Sequence, residues 1–140
     1  MEKSVTVTWA GKMTFIGTAP SGNCVTMDAG PKSGGLGLGH SPMDLLLMGA
    51  GGCASIDVVL ILEKGRNDIS DCVCQISGKR AENMPRAYTD IHLHFMVSGR
   101  DLKEKAVARA VELSMTKYCS ASATLAKGAK LTYDWEVIEA

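Results

Sequence analysis

The first 28 residues alternate between apolar and polar positions with the two-residue period of β-strands. Val5, Val7 and Trp9 fall on one face and polar residues fall on the other, which predicts a half-buried strand. Residues 13–18 and 24–28 have the same character, and turn-forming residues separate all three segments. The N-terminal part is therefore predicted to be a three-stranded meander.

A long apolar segment follows a glycine-rich loop and predicts a helix. It opens with Ser41-Pro42-Met43-Asp44, which combines an N-cap residue, a proline at the first helical position and an acidic residue in the first turn. The helix should end at about Lys64 or Gly65. Asp57 and three glycines between positions 49 and 52 argue against a membrane span. Because the helix is apolar nearly all round, we expect a partner helix from a second copy of the chain, and thus a homodimer.

The second half of the chain predicts a hairpin, a helix and a last strand. Residues 69–79 and 88–98 alternate as two strands, 101–117 has helical spacing, and 131–137 alternates again. The order is βββ-α-ββ-α-β, which predicts an α+β fold. With 140 residues, of which 46% are hydrophobic, the chain is long enough for one core and is expected to be a single domain over 1–140.

Composition excludes several classes of function. Fifteen basic and fifteen acidic residues give no net charge, so a nucleic-acid partner is not expected. The start Met1-Glu2-Lys3-Ser4-Val5 lacks the features of a secretory signal, which favours a cytoplasmic protein without a membrane partner. The five cysteines are then expected to be reduced, and their odd number excludes complete pairing within one chain.

Cys53 lies in the middle of the long predicted helix, within Gly51-Gly52-Cys53-Ala54-Ser55. A free cysteine most often packs as a small apolar side chain. Flanking glycines, however, weaken a helix, so a close approach is expected at this point. For redox chemistry, Cys53 needs a neighbour that favours the thiolate. Asp57, one turn later, would oppose the thiolate, so activation must come from elsewhere in the fold.

Cys119 follows the second predicted helix, in Tyr118-Cys119-Ser120-Ala121-Ser122. The C-terminal end of a helix raises the pKa of a nearby thiol, which makes this cysteine a poor attacking group. The position suits a resolving thiol that condenses with a sulfenic acid on Cys53. The two cysteines are 66 residues apart, so their proximity is a hypothesis about the fold.

The segment from Ser41 to Leu47, the Gly52-Cys53 pair and the later Tyr118-to-Ser122 segment resemble the OsmC/Ohr family of thiol-dependent hydroperoxide reductases, and within it the YhfA-like branch. The resemblance spans nearly the whole chain. It implies an OsmC-like fold, an intertwined homodimer with long central helices, and active sites at the subunit interface. It further implies that Cys53 attacks an organic hydroperoxide, that Cys119 resolves it, and that a dithiol or a lipoylated protein is the reductant. No cofactor is implied, and a role in the oxidative stress response is expected.

The chain departs from the family pattern at two positions. The family's reductases hold the attacking thiolate with an N-terminal arginine, whereas the first arginine here is Arg66. Lys12, Lys32 and His40 are the cationic candidates to replace it, and a lysine lacks the planar fork of an arginine. The acidic residue of the family's helix start stands one position later, at Asp44. We expect His40 and Asp44 to position the substrate or the thiol.

A second constellation competes with the cysteine pair. Cys72 and Cys74 alternate on one predicted strand, and His92 and His94 alternate on the next. A hairpin centred near Met84 would set Cys74 opposite His94, and the four side chains would suit zinc. A register shift of one residue would send the histidines to the other face and leave no zinc site.

Three functions remain open from the sequence. The preferred one is thiol-dependent reduction of organic hydroperoxides, with no metal at Cys53 or Cys119. The alternative is a non-catalytic dimer of the same fold that binds a small apolar ligand or handles sulfur, which the missing N-terminal arginine favours. The third is a zinc-binding protein.

Overall fold

The computed structural model describes Glu2–Ala140. Met1 belongs to the predicted domain and to the N-terminal segment without a secretory signal, and it lies outside the described residues. The chain forms two compact units, one up to Leu46 and one from Leu47 to Ala140. The expectation of a single domain over 1–140 stays a prediction.

The N-terminal unit contains three short strands, β1 (Thr6–Trp9), β2 (Phe15–Thr18) and β3 (Cys24–Met27). They pair antiparallel in the order β1-β2-β3. The predicted meander is thus confirmed, with strands slightly shorter than the alternating pattern.

The burial predicted for β1 is wrong for the chain alone. Val5, Val7 and Trp9 are 69%, 58% and 66% exposed. An alternating pattern predicts that the apolar face of a strand is buried, but it does not indicate which element packs against that face. The described residues of this unit form one three-stranded sheet that leaves this apolar face open to solvent.

A buried carboxylate organises the glycine-rich loop after β3. Asp28 accepts hydrogen bonds from the Thr14 hydroxyl at 3.2 Å and from the backbone N–H groups of Ala29, Leu36 and Leu38 at 2.8, 3.3 and 3.1 Å. Burial alone would raise the pKa of Asp28, but these four donors together hold it below its usual value. The loop is therefore tied to the end of the meander.

The long helix α1 (Pro42–Lys64) begins and ends as predicted. Ala50, Ala54, Val58 and Leu62 recur every fourth residue and are fully buried. The other side of the helix carries exposed apolar residues. By length and composition alone α1 is able to cross a membrane, and core helices of water-soluble proteins share both properties.

The C-terminal unit is built on a second three-stranded sheet formed by β4 (Asp68–Arg80), β5 (Tyr88–Arg100) and β6 (Lys130–Glu139). The predicted hairpin of β4 and β5 is confirmed, and β6 pairs parallel to β5. Helix α2 (Glu104–Leu113) packs against β6. The side chains that fill the core are fully buried residues of β5, α1 and α2: Ile91, Leu93, Phe95, Val97, Val58, Leu62, Val107, Ala110 and Val111.

The segment after α2 differs from the single helix predicted over 101–117. A wide π-helical turn covers Ser114–Tyr118, and a further helix, α3 (Ser120–Leu125), follows at once. The Cys119 N–H donates to the Ser114 carbonyl at 2.8 Å, five residues back, which closes the wide turn. Such turns are frequent at functional sites. The βββ-α-ββ-α-β order is retained, with one short helix added.

Candidate functional site

The structure brings Cys53 and Cys119 together. The two Sγ atoms and a carboxylate oxygen of Asp57 all lie within 4.8 Å of one another. Cys53 and Asp57 stand one turn apart on α1, and Cys119 approaches from the junction between the π-helical turn and α3. The spatial adjacency that the cysteine hypothesis requires is therefore present in the fold.

Cys119 is held by the start of α3. Its thiol donates to the Ser122 hydroxyl at 3.1 Å, and its sulfur accepts from the Ser122 N–H at 3.4 Å, so Cys119 is the N-cap of that helix. It is 3% exposed. Burial raises its pKa and Cys53 adds to the rise, whereas both contacts with Ser122 lower it. The raised pKa was expected, but its main cause is burial and not the end of a helix.

Asp57 faces the two thiols and is fixed by a buried serine. The Ser114 hydroxyl donates to the Ala54 carbonyl at 2.9 Å and lies 3.4 Å from Oδ2 of Asp57. Ser114 is fully buried at the first position of the π-helical turn. The carboxylate is thus an oriented part of the site.

Gly51 explains part of the glycine cluster around Cys53. A Cβ at this position would collide with the Ile76 side chain of β4, so the glycine lets α1 approach the sheet closely. Around Gly49 and Gly52 the chain leaves open space. Only one of these three glycines is therefore required by packing within the C-terminal unit.

A cavity of about 470 Å³ opens beside Asp57. Its walls are apolar at Leu60, Ile61 and Leu113 and basic at Arg109 and Lys64, and the ring of Tyr118 completes them. The volume lies within the range of small-molecule sites. The cavity therefore offers a largely apolar space with positive charge at its wall, and Asp57 joins it to the site of the cysteine pair.

Cys72 and Cys74 line the same side of β4 and are not activated. Burial raises the pKa of Cys74 to about 11, with a contribution from the neighbouring Cys72, and burial also raises the pKa of Cys72. The Ser55 hydroxyl contacts both thiols and lowers each pKa in part. These thiols are neutral at pH 7, which agrees with a packing role.

Of the two registers that the sequence leaves open, the structure has the one that separates Cys72 and Cys74 from His92 and His94, so these four residues form no zinc site. Cys74 pairs with Phe95 and not with His94, so the cysteines and the histidines lie on opposite faces. Near the turn the register is the one expected, but an irregularity between Lys79 and Arg80 shifts the pairs from Lys79 to Asp71 by one residue, and a second irregularity between Ile69 and Asp71 restores it.

The two histidines instead form a carboxylate cluster on the outer face. Nδ1 of His94 lies 2.7 Å from Asp134, and its Nε2 lies 3.1 Å from Glu136. Nε2 of His92 lies 3.0 Å from the same oxygen of Asp134. Asp134 is the main cause of a raised pKa at His94, and His94 in turn lowers the pKa of Asp134.

These shifts predict a pH-dependent contribution to stability. The contribution of protonated His94 to the free energy of unfolding is complete below pH 6.5 and is lost as the pH rises through its raised pKa. The contribution of ionised Asp134 is lost as the pH falls below 3.8. Asp134→Asn should therefore lower the free energy of unfolding most near pH 5, and the loss should shrink towards about pH 9. Denaturant unfolding at both pH values measures it, with the loop variant Glu82→Gln as control. An equal loss at both would contradict the assignment.

His40, Asp44, Lys12 and Lys32 all belong to the N-terminal unit. The backbone of His40 bonds to Thr26 and Asp28, and Asp44 lies in the first turn of α1. Their roles in positioning the substrate or the thiol stay predictions.

Sequence reasoning missed three residues that surround the pair. Ser114 and Ser122 hold Asp57 and Cys119, and Arg109 lines the adjoining cavity. Ser114 and Arg109 stand in no motif, whereas Ser122 ends the Tyr118-to-Ser122 segment but was given no role. The short Ser-Ala-Ser sequence after Cys119 is a weak helix-start signal that could have indicated the Ser122 contact.

Comparison with known proteins agrees with this fold. The family model for OsmC-like protein matches residues 34–134. Protein YhfA of Escherichia coli K12 is 48% identical over 136 residues, which cover 96% of this chain and 97% of that protein. This bears out the resemblance to the YhfA-like branch.

Two solved structures extend the comparison. A hypothetical protein from Aquifex aeolicus has a TM-score of 0.88 at 31% identity and covers 100% of this chain and 98% of its own. An organic hydroperoxide resistance protein OsmC from Legionella pneumophila has a TM-score of 0.73 at 13% identity, covering 98% of both chains, which shows a shared fold. On the family match and the YhfA identity together, the chain belongs to the OsmC-like protein family.

Proposed function

We propose that this protein reduces organic hydroperoxides through a redox-active pair, Cys53 and Cys119. The observation that carries the proposal is the position of the two thiols, 66 residues apart in sequence and within 4.8 Å at their sulfur atoms. The distant Legionella protein of the same fold is named for organic hydroperoxide resistance. That name supports the choice of substrate class.

The other thiols are poor candidates for the attacking role. Cys72, Cys74 and Cys119 all have raised pKa values, chiefly because they are buried. Cys24 is exposed but is the only cysteine of the N-terminal unit, so that unit offers it no resolving partner. This leaves Cys53, half-buried and beside Cys119, as the attacking thiol.

The reaction proceeds in three balanced steps. The Cys53 thiolate attacks the peroxide oxygen distal to the organic group, the O–O bond breaks, and the alkoxide takes a proton to leave as an alcohol. Cys119 then displaces hydroxide from the Cys53 sulfenic acid, and a disulfide and water form. An external dithiol, free or on a lipoylated protein, finally reduces the disulfide by exchange and is itself oxidised.

The cavity beside Asp57 suits the organic part of the substrate. Leu60, Ile61 and Leu113 offer an apolar wall, and burial of each methylene group contributes about 0.8 kcal/mol. Arg109 and Lys64 add positive charge to the same cavity. An organic hydroperoxide should therefore react faster than hydrogen peroxide.

Steady-state consumption of cumene hydroperoxide in the presence of dihydrolipoamide tests this function. We expect many turnovers per chain, and a lower kcat/KM for hydrogen peroxide because it has no group for the apolar wall. Consumption no faster than with the dithiol alone would refute the proposal.

We further propose that the chain acts as a homodimer in the cytoplasm. Ile56 and Met48 expose 62% and 49% of their surface on α1, and the space around Gly49 and Gly52 is open. A second copy of α1 would cover these residues, and the glycines would let the two backbones come close. The exposed face of β1 needs cover in the same way.

Ile56→Asp tests the dimer. Burial of the isoleucine contributes about 1.5–3 kcal/mol, so a charge at this position should weaken association by about a hundredfold or more. Analytical ultracentrifugation measures it, with Met84→Asp as the matched control because Met84 is also an exposed apolar residue, in the loop between β4 and β5. Equal dissociation constants for both variants would place the interface elsewhere.

The non-catalytic alternative keeps one specific observation in its favour. A carboxylate oxygen of Asp57 lies within 4.8 Å of both sulfur atoms, so the charged group beside the pair is negative, whereas hydroperoxide chemistry calls for a positive one. In this alternative the cavity holds a small apolar or thiol ligand. A ligand that copurifies with the protein, together with no consumption of hydroperoxide, would support it.

A further inference from the structure

Asp57 has no role in the reaction steps above, yet it is oriented towards both thiols. Cys53, Asp57 and Cys119 each offer one ligand atom, and these three atoms lie within 4.8 Å of one another. We infer that the reduced protein binds one Zn²⁺ ion through Cys53, Asp57 and Cys119. This site is distinct from the one predicted with the histidines.

The spacing of the three side chains suits one ion. Cys53 and Asp57 are four residues apart on α1, so their side chains lie on the same face of the helix. The third ligand, Cys119, approaches from the end of the π-helical turn. Bond lengths of about 2.3 Å to sulfur and about 2.0–2.2 Å to oxygen put tetrahedral ligand atoms about 3.5–3.8 Å apart. The ligand atoms need to close by at most about 1.3 Å, from 4.8 Å to about 3.5 Å, to reach this geometry.

Buried serines hold two of the ligands in place. Ser114 contacts Oδ2 of Asp57 at 3.4 Å, and the Ser122 N–H donates to the Cys119 sulfur at 3.4 Å. Ser114 and Ser122 are 0% and 2% exposed. Hydrogen bonds of this kind orient the ligands of metal ions in proteins.

The donor set selects the metal. Two thiolates and one carboxylate suit Zn²⁺, whereas Mg²⁺ and Ca²⁺ prefer ligand sets made of oxygen. Three protein ligands leave the fourth tetrahedral position to water. A divalent cation offsets two of the three negative charges of the ligands, so the carboxylate and the two thiolates can lie side by side once Zn²⁺ is bound.

Metal binding and disulfide formation exclude each other. The disulfide forms when the two thiolates lose two electrons to the hydroperoxide, which takes up two protons and becomes an alcohol and water. The sulfur atoms of the disulfide are neutral and no longer act as thiolate ligands of Zn²⁺. Oxidation therefore releases the ion without changing its oxidation state. Only this release depends on the function proposed above, because binding needs the reduced thiols alone.

Competition between the reduced protein and a chromophoric chelator for Zn²⁺, without oxygen, tests the site. We expect one equivalent per chain, an affinity at least about a hundredfold lower in Cys53→Ser and Cys119→Ser, and about tenfold lower in Asp57→Asn. Cys24→Ser and Cys72→Ser are the matched controls and should bind as the unchanged protein does. Co²⁺ should give thiolate-to-metal charge-transfer absorption in the unchanged protein that both ligand-cysteine variants lack.

Three results would overturn the inference. They are no competition by the reduced protein, an affinity of Cys53→Ser and Cys119→Ser equal to that of the unchanged protein, or loss of binding in Cys72→Ser instead. The unchanged protein carrying the Cys53–Cys119 disulfide provides a test without a substitution, and it should bind no Zn²⁺. Hydroperoxide consumption is measured on metal-free protein, so failure of the zinc site and failure of the reductase function are separable.

Discussion

Cys53→Ser should reduce hydroperoxide turnover by about a thousandfold or more, because a hydroxyl does not replace the thiolate that attacks the peroxide. The substitution is nearly isosteric at a half-buried position on α1, so the free energy of unfolding should change by no more than about 1 kcal/mol. Steady-state consumption of cumene hydroperoxide with dihydrolipoamide measures the loss, and thermal unfolding checks the fold.

The matched control for this variant is Cys24→Ser. Cys24 is exposed on β3, and its substitution should leave turnover unchanged. Full activity in Cys53→Ser would remove that residue from the mechanism. Loss of activity in Cys24→Ser alone would transfer the attacking role to the N-terminal unit.

Cys119→Ser should stop the cycle after one oxidation. The Cys53 sulfenic acid then lacks its resolving thiol, so excess hydroperoxide drives it to the sulfinic acid and turnover ends. Serine is a good N-cap and can accept the Ser122 N–H in place of the sulfur, so α3 should stay folded. Intact-mass spectrometry should show two oxygen atoms added to Cys53 in this variant.

Cys119→Ala separates the chemical role from the structural one. Alanine removes the N-cap as well as the thiol and should cost about 1 kcal/mol of stability more than serine does. Sustained turnover in Cys119→Ser would point to another resolving thiol. Cys74 is then the first to test, because it interacts electrostatically with Cys119.

The bounds of α1 were predictable because local chemistry determines them. Ser41-Pro42 begins the helix and Gly65 follows its last residue, and the structure gives Pro42–Lys64. The helix α3 was missed because six residues of Ser, Ala, Thr and Leu carry no periodic pattern. The π-helical turn depends on one wide hydrogen bond that no sequence pattern indicates.

The register of the hairpin shows the limit of counting residues from a turn. Arg80 pairs with Tyr88, and an unbroken ladder from that pair would set Cys74 opposite His94. Thr89 is the extra residue on β5, and its hydroxyl donates to the Lys79 carbonyl at 3.1 Å. One local irregularity thus decided whether cysteines and histidines share a face.

The candidate site was predictable in its chemistry but not in its surroundings. The residue types of Cys53 and Cys119 indicated a thiol pair, whereas a separation of 66 residues has no bearing on distance in space. Asp57 was interpreted as an obstacle because sequence shows only that it lies one turn away. Its orientation by Ser114 depends on the tertiary packing of two helices.

Peptide mapping of the metal-free, reduced protein after one equivalent of cumene hydroperoxide tests the central claim most directly. The account predicts rapid formation of one disulfide that joins Cys53 to Cys119, with the other three cysteines still reduced. An unchanged mass, or a disulfide that leaves out either of these two residues, would contradict it.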